Sequence, residues 1–165
     1  MTSTSHVFIG AAGYAALAFH TPLPLSMAAT TAAVVGSLAP DIDHPSSRVG
    51  QLLWPISYPL ARLLGHRGLT HSALALLGLA LAVVLLDGAV VTTVTAFAVG
   101  YTLHLAADAC TTRGVALLYP SRQRFRAPIT VRTGGPGEWV LTGLILALAA
   151  ASVVLHPAGP DLPWP

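Results

Sequence analysis

Seven histidines and six acidic residues occur in this 165-residue chain, and they are not spread evenly. His6 opens the first apolar stretch. Asp41, Asp43 and His44 sit together in Leu38-Ala39-Pro40-Asp41-Ile42-Asp43-His44-Pro45, just after the second. His66 and His71 frame His66-Arg67-Gly68-Leu69-Thr70-His71-Ser72, and His104 and Asp108 close a later apolar run. Imidazole and carboxylate donors together suit Zn2+, with Mn2+ or Fe2+ as alternatives. Three such donors leave a position for water, the arrangement of a catalytic zinc. Eight candidates can hold two ions, which at about 3.5–4 Å apart would clamp an attacking hydroxide and an ester or phosphate oxygen. Cys110 is the only cysteine, so a finger-type thiolate site and an intramolecular disulfide are both excluded.

Local spacing lets these donors converge. His104 and Asp108 are four apart and share a helix face, one turn separated. Asp41 and Asp43 are two apart, so in an extended segment both point the same way. Pro40 and Pro45 bias the residues before them toward extended backbone. Gly68 permits a bend between His66 and His71, and Thr70 reads as the N-cap of a helix beginning at His71. Thr70 and Ser72 are caps or supporting donors rather than nucleophiles. An acid that does not bind metal, Asp41 or Asp43, is the candidate general base.

Each group has a plainer alternative. His104 and Asp108 can be an intrahelical pair, residues 41–44 a solvated helix end, His66 and His71 interfacial histidines, and His6 a polar terminus. His20 and His156 read as bystanders, Glu138 as an ordinary interfacial carboxylate, and Asp87 as turn chemistry.

The elements that must carry these donors follow from composition. Hydrophobic residues make up 54% of the chain and charged residues 8%, with a mean hydropathy of +0.71. Soluble domains carry about 25% charged residues, so soluble and disordered classes are excluded. The expected fold is an all-α, polytopic membrane helix bundle forming one domain over residues 1–165. About five hydrophobic helices are expected, near 6–19, 24–39, 70–86, 89–111 and 138–155. The longest two can cross a hydrocarbon core, while the first two are short and fit tilted, interfacial or packed positions. The start of the chain lacks the basic region of a signal peptide, so the first stretch is expected in the mature protein.

Two long polar segments, 40–69 and 112–137, hold all eight arginines; there is no lysine. Both segments read as long loops, and by the positive-inside rule both face the cytoplasm, as do the N-terminus and all eight candidate donors. Arginines confined to two segments mark topology rather than a nucleic-acid-binding face, so no nucleic acid partner is expected. Arg67 and Arg113 are also candidate substrate-binding residues for anionic headgroups, because guanidinium matches phosphate bidentately.

Three blocks carry a family resemblance. Pro40-Asp41-Ile42-Asp43-His44, His66-Arg67-Gly68-Leu69-Thr70-His71-Ser72 and Gly100-Tyr101-Thr102-Leu103-His104-Leu105-Ala106-Ala107-Asp108 occur in order at family-like spacing. They resemble the motifs of the LexA-regulated, membrane-bound metal-dependent hydrolases, the YdjM-like inner-membrane family. Thr111-Thr112-Arg113-Gly114, Leu118-Tyr119-Pro120 and the early His6 are also similar, so the likeness covers roughly residues 1–120. It implies an inner-membrane hydrolase with metal roles for His6, Asp41, Asp43, His44, His66, His71, His104 and Asp108. The expected reaction is attack of an activated water on an ester or phosphoester of a membrane lipid. The rivals are a metal or proton transporter, with donors near the bilayer midplane, and a non-catalytic metal-binding membrane protein.

Overall fold

A computed structural model describes residues 1–64, 68–121 and 123–156. Seven α-helices are present among them: α1 (Ser3–His20), α2 (Met27–Leu38), α3 (Arg48–Leu52), α4 (Trp54–Leu64), α5 (Ala73–Leu85), α6 (Gly88–Ala109) and α7 (Pro136–Leu155). Two 3-10 turns, Ala39–Asp43 and Leu69–His71, precede α3 and α5. The described residues form no strand. Isolated bridges Thr111–Val131 and Val115–Phe125 fold the segment after α6 back beneath its end.

Local chemistry sets the helix starts. Thr2, Ser26 and Ser47 cap α1, α2 and α3 by accepting from the backbone N–H of Ser5, Ala29 and Gly50. Pro136 opens α7, where its missing N–H costs nothing.

The centre of the bundle is α2 against α6, with α1 laid across both. Glycines set that distance. A Cβ on Gly100 of α6 would fall 1.8 Å from the Ala33 carbonyl oxygen of α2, and one on Gly36 of α2 would fall 2.0 Å from that of Phe97. The two backbones touch, as small residues permit between helices in lipid. Tyr14, Ala18, Ala29, Ala33 and Ala96 fill the adjoining core.

α6 and α7 are long and apolar enough to cross a membrane; α5 is apolar but has only 13 residues. The five expected hydrophobic helices are therefore all present, but two of them have spanning length and hydropathy. α5 buries none of its residues, and α5 and α7 expose Leu77, Leu81, Val84, Val140, Leu148 and Val154. A bilayer covers apolar surface of this extent.

Three expectations change. The first polar segment is not a loop, since it carries a 3-10 turn, α3 and α4. Pro55 and Pro59 disguise α4, and proline inside a run argues against helix. The expected helix at 70–86 begins at Ala73, because Leu69–His71 winds as a 3-10 turn and Ser72, not Thr70, takes the N-cap position. Asp41 and Asp43 also lie on a 3-10 turn rather than an extended segment. At about 120° per residue their side chains diverge.

Candidate metal centre

His6 sits on α1, and its position depends on α7. Glu138, buried in the first turn of α7, accepts from Thr2 N (2.7 Å), Thr2 Oγ1 (2.8 Å), Ser5 Oγ (2.5 Å) and Gly134 N (2.8 Å). Four donors on one carboxylate pin the start of α1 to α7. His104 lies one turn beyond Gly100, where α2 and α6 touch, so its ring meets the end of α2. Asp108 follows one turn later on the same face.

The donors meet in a buried cluster. His104 Nε2 lies 3.3 Å from His71 Nε2, 3.9 Å from Asp41 Oδ1 and 3.9 Å from Asp108 Oδ2. His71 Nε2 is 3.8 Å from Asp41 Oδ1 and 3.9 Å from Asp108 Oδ2. His6 Nε2 is 3.3 Å from Asp108 Oδ1, against which the Met1 amino group also lies, and the His6 ring stacks on His104 at 3.7 Å. Two triads, His6–His104–Asp108 and Asp41–His71–His104, each bring their ligand atoms within 4.8 Å of one another. His6, His71, His104, Asp41 and Asp108 are all buried.

Hydrogen bonds behind the rings fix the tautomers. His104 Nδ1 donates to the Ser37 carbonyl at 2.7 Å, leaving the lone pair on Nε2. Thr70 Oγ1 gives its single proton to Asp43 Oδ2, so it accepts from His71 Nδ1 at 3.0 Å, which leaves that lone pair on Nε2 too. Tyr101 OH donates to the Thr70 carbonyl and steadies the relay. Two imidazole lone pairs therefore face each other across 3.3 Å, with two carboxylates beside them. Such a set repels itself without a cation. In addition, His6 Nδ1 is buried without a hydrogen bond among the described residues, and His6 Nε2 faces Asp108 Oδ1 at 3.3 Å. These buried groups can hold a metal ion, and a ligating imidazole backed by a carbonyl or carboxylate is the usual arrangement around one.

Comparison with known proteins decides the family. The family model described as YdjM inner membrane protein matches residues 1–159. The chain belongs to the YdjM family of inner membrane proteins. Inner membrane protein YdjM of Escherichia coli (strain K12) is 44% identical over 115 residues, covering 62% of this chain and 55% of its own length. The Shigella flexneri protein of the same name aligns equally. The aligned region thus spans about half the length of these relatives. YvsG of Bacillus subtilis (strain 168) is 36% identical over 152 residues, or 89% of this chain and 91% of its own. No solved structure matches the chain.

Within this YdjM-family chain, five of the eight expected donors converge: His6, Asp41, His71, His104 and Asp108. Asp43 stands behind His71, acting on it through Thr70. His44 lies at the edge, its Nδ1 2.9 Å from Ser46 Oγ, and lines an adjoining cavity that Arg113 also borders. His66 and Arg67 lie outside the described residues. His20 ends α1, about 21 Å along the axis from His6. Sequence reasoning missed the Ser37 carbonyl, because a backbone acceptor has no letter. It also undervalued Glu138, whose place before an apolar helix looked ordinary. The Thr2-x-x-Ser5 hydroxyls were the available hint of its partners.

Proposed function

We propose that this chain is a multi-span, inner-membrane metal-dependent hydrolase that cleaves an ester or phosphoester of a membrane lipid at the cytoplasmic interface. The observation that carries this reading is the pair of facing Nε2 lone pairs flanked by Asp41 and Asp108. Asp41, His71 and His104 form one donor set and His6, His104 and Asp108 the other, both sharing His104. Nitrogen-rich donors with carboxylate favour Zn2+, with Mn2+ or Fe2+ as substitutes. Such an ion supplies acidification of water and polarisation of the scissile oxygen.

The chain's own residues do the rest. Ser37 and the Thr70–Asp43 pair hold both imidazoles in the ligating tautomer. Asp41 offers Oδ1 to the donor cluster and also lines the open cavity beside it, so it is a donor rather than a metal-free acid, and its second oxygen would take the proton of the attacking water. Asp43, engaged by Thr70, is a positioning residue. His104 and Asp108 occupy the last two turns of α6, with His104 about 8 Å from its end rather than at mid-helix. Depth near one interface supports an enzyme on lipid ester groups over a transporter. The confinement of all eight arginines to the two polar segments, which a five-span arrangement would put on one side, supports the cytoplasmic assignment.

Metal analysis of purified protein tests the centre. Wild type is expected to carry zinc, and His104→Ala, which removes the donor shared by both sets, to lose it. Unchanged content in His104→Ala and Asp41→Ala overturns the site. Metal-dependent release of headgroup or fatty acid from labelled liposomes supports the hydrolase. Metal uptake into sealed vesicles without lipid cleavage overturns it in favour of transport.

A further inference from the structure

A cavity of about 370 Å³ opens beside the cluster and shares Asp41 with it. Arg48, at the start of α3, and Arg113, after α6, border it from separate segments, together with His44, Ser46 and Trp139. Both arginines are exposed, and among the described residues neither is held in an ion pair. Among the described residues Asp41 is the single carboxylate of the lining, and its Oδ1 is directed at His71 and His104. Two arginines free of ion pairs among the described residues thus border the cavity, within reach of whatever enters it.

A neutral carboxylic ester has no use for two guanidinium groups, whereas a phosphate has charge and oxygens for both. The volume lies within the range of small-ligand sites and exceeds what one phosphate fills, leaving room for the group esterified to it. The mouth has a level as well. Trp139 is half exposed on the first turn of α7, a helix apolar enough to cross a membrane. Tryptophan at such a place marks the headgroup layer.

We propose that this cavity binds the phosphate of a membrane phospholipid, with Arg48 and Arg113 on its oxygens and the ester group turned toward Asp41. The role as a substrate site rests on the hydrolase reading above; the binding itself does not. It narrows that reading from membrane-lipid esters in general to lipids that carry a phosphate. Arg48, in the Ser46-Ser47-Arg48 stretch after His44, becomes a specificity-determining residue.

Binding of phosphatidic acid and of diacylglycerol to the purified protein in dodecylmaltoside tests this at about 0.15 M salt, where long-range charge effects are screened. Inorganic phosphate serves as the soluble arm, and each ligand is titrated with and without zinc. Phosphatidic acid is expected to bind at least tenfold more tightly than diacylglycerol, with inorganic phosphate competing only weakly. Arg48→Gln and Arg113→Gln should each weaken it by about tenfold, because each loses a charge-assisted hydrogen bond to the phosphate. Metal content should stay at the wild-type level in both variants. Arg124→Gln, which alters an exposed arginine outside the lining of this cavity, should bind as wild type does. Arginine-dependent binding by a protein that takes up no metal upholds this site while the hydrolase reading fails. Metal uptake with phosphatidic acid binding unchanged in the double variant overturns this site alone. Inorganic phosphate binding as tightly as the lipid overturns the phospholipid assignment.

Discussion

The centre draws its donors from two kinds of scaffold. His104 and Asp108 ride on α6, a helix of 22 residues whose backbone touches α2 at Gly100 and Gly36. Asp41 and His71 ride on 3-10 turns of five and three residues, too short to hold a shape by their own backbone bonds. Helical donors are placed by the distance between two helices. Turn donors are placed by side-chain hydrogen bonds: Thr70 to Asp43, Tyr101 to the Thr70 carbonyl, and Ser47 Oγ to the Asp41 carbonyl at 2.9 Å. One half of the centre should therefore fail through steric clash, and the other through loss of single hydrogen bonds.

Gly100→Ala attacks the helical half and should have the largest effect. The added carbon meets backbone, which cannot swing aside, so α2 and α6 must separate and carry His104 away from the Ser37 carbonyl. Overpacking of this kind costs about 3 kcal/mol or more. A fall in thermal midpoint together with loss of bound metal is expected. Gly78→Ala on α5 is the control, since nothing lies within 4 Å of its added carbon. It should be neutral, or stabilising by about 0.5–1 kcal/mol from helix propensity. Equal destabilisation by both would erase the distinction between scaffolds.

Asp43→Asn and Thr70→Val attack the turn half without touching the helix contact. Thr70→Val removes the acceptor of the His71 Nδ1 proton, and Asp43→Asn removes the charge that fixes the direction of the Thr70 hydroxyl, so each loosens the His71 tautomer. Removing a partner behind a ligand typically costs about 10–100-fold in metal affinity. Competition with a zinc chelator should show that loss while the thermal midpoint of the metal-free protein stays near wild type. A large drop in that midpoint would make Asp43 a folding residue instead.

Glu138 connects the two halves through α1. Glu138→Gln places an amide where three donors converge on one oxygen, or else turns it toward Gly134 N, and so strands at least one buried donor. The expected cost is about 1–3 kcal/mol. Its signature should be selective, weakening metal retention by the His6 set more than by the Asp41–His71 set. Coupling to His6→Ala in a double-mutant cycle reads this directly. Additive effects of the two changes would separate Glu138 from His6.

The two scaffolds were not equally legible in the sequence. Apolar runs marked α1, α2 and α5–α7, and the four-residue step from His104 to Asp108 fixed their shared face. Asp41 and Asp43 were found as donors but misdirected, because spacing of two has opposite meanings on extended backbone and on a 3-10 turn, and Pro40 is compatible with either. α3 and α4 were hidden because Pro55 and Pro59 break the pattern by which a helix is recognised. Their Leu52, Trp54, Ile56 and Leu63 are all exposed, and Ile56 and Leu63, seven residues apart, share a face of α4 that suits the bilayer surface better than water. The glycine contacts were visible only as small residues, since a sequence does not say which glycine meets which carbonyl.

Tyr101→Phe is the mildest way to probe the comparison, because it removes one hydroxyl and leaves the ring packed near Phe97. The hydroxyl donates to the Thr70 carbonyl from α6 itself, so it is the bond through which the helix steadies the turn. Its loss should cost about 1 kcal/mol, the net worth of one hydrogen bond. If the turn depends on α6, metal affinity should fall by a few-fold along with stability, and Tyr101→Phe combined with Asp43→Asn should lose less than the sum. Full additivity would show the two bonds acting independently, and unchanged metal affinity in Tyr101→Phe would leave the turn held by Asp43 alone, with α6 contributing donors but no support to the opposite half.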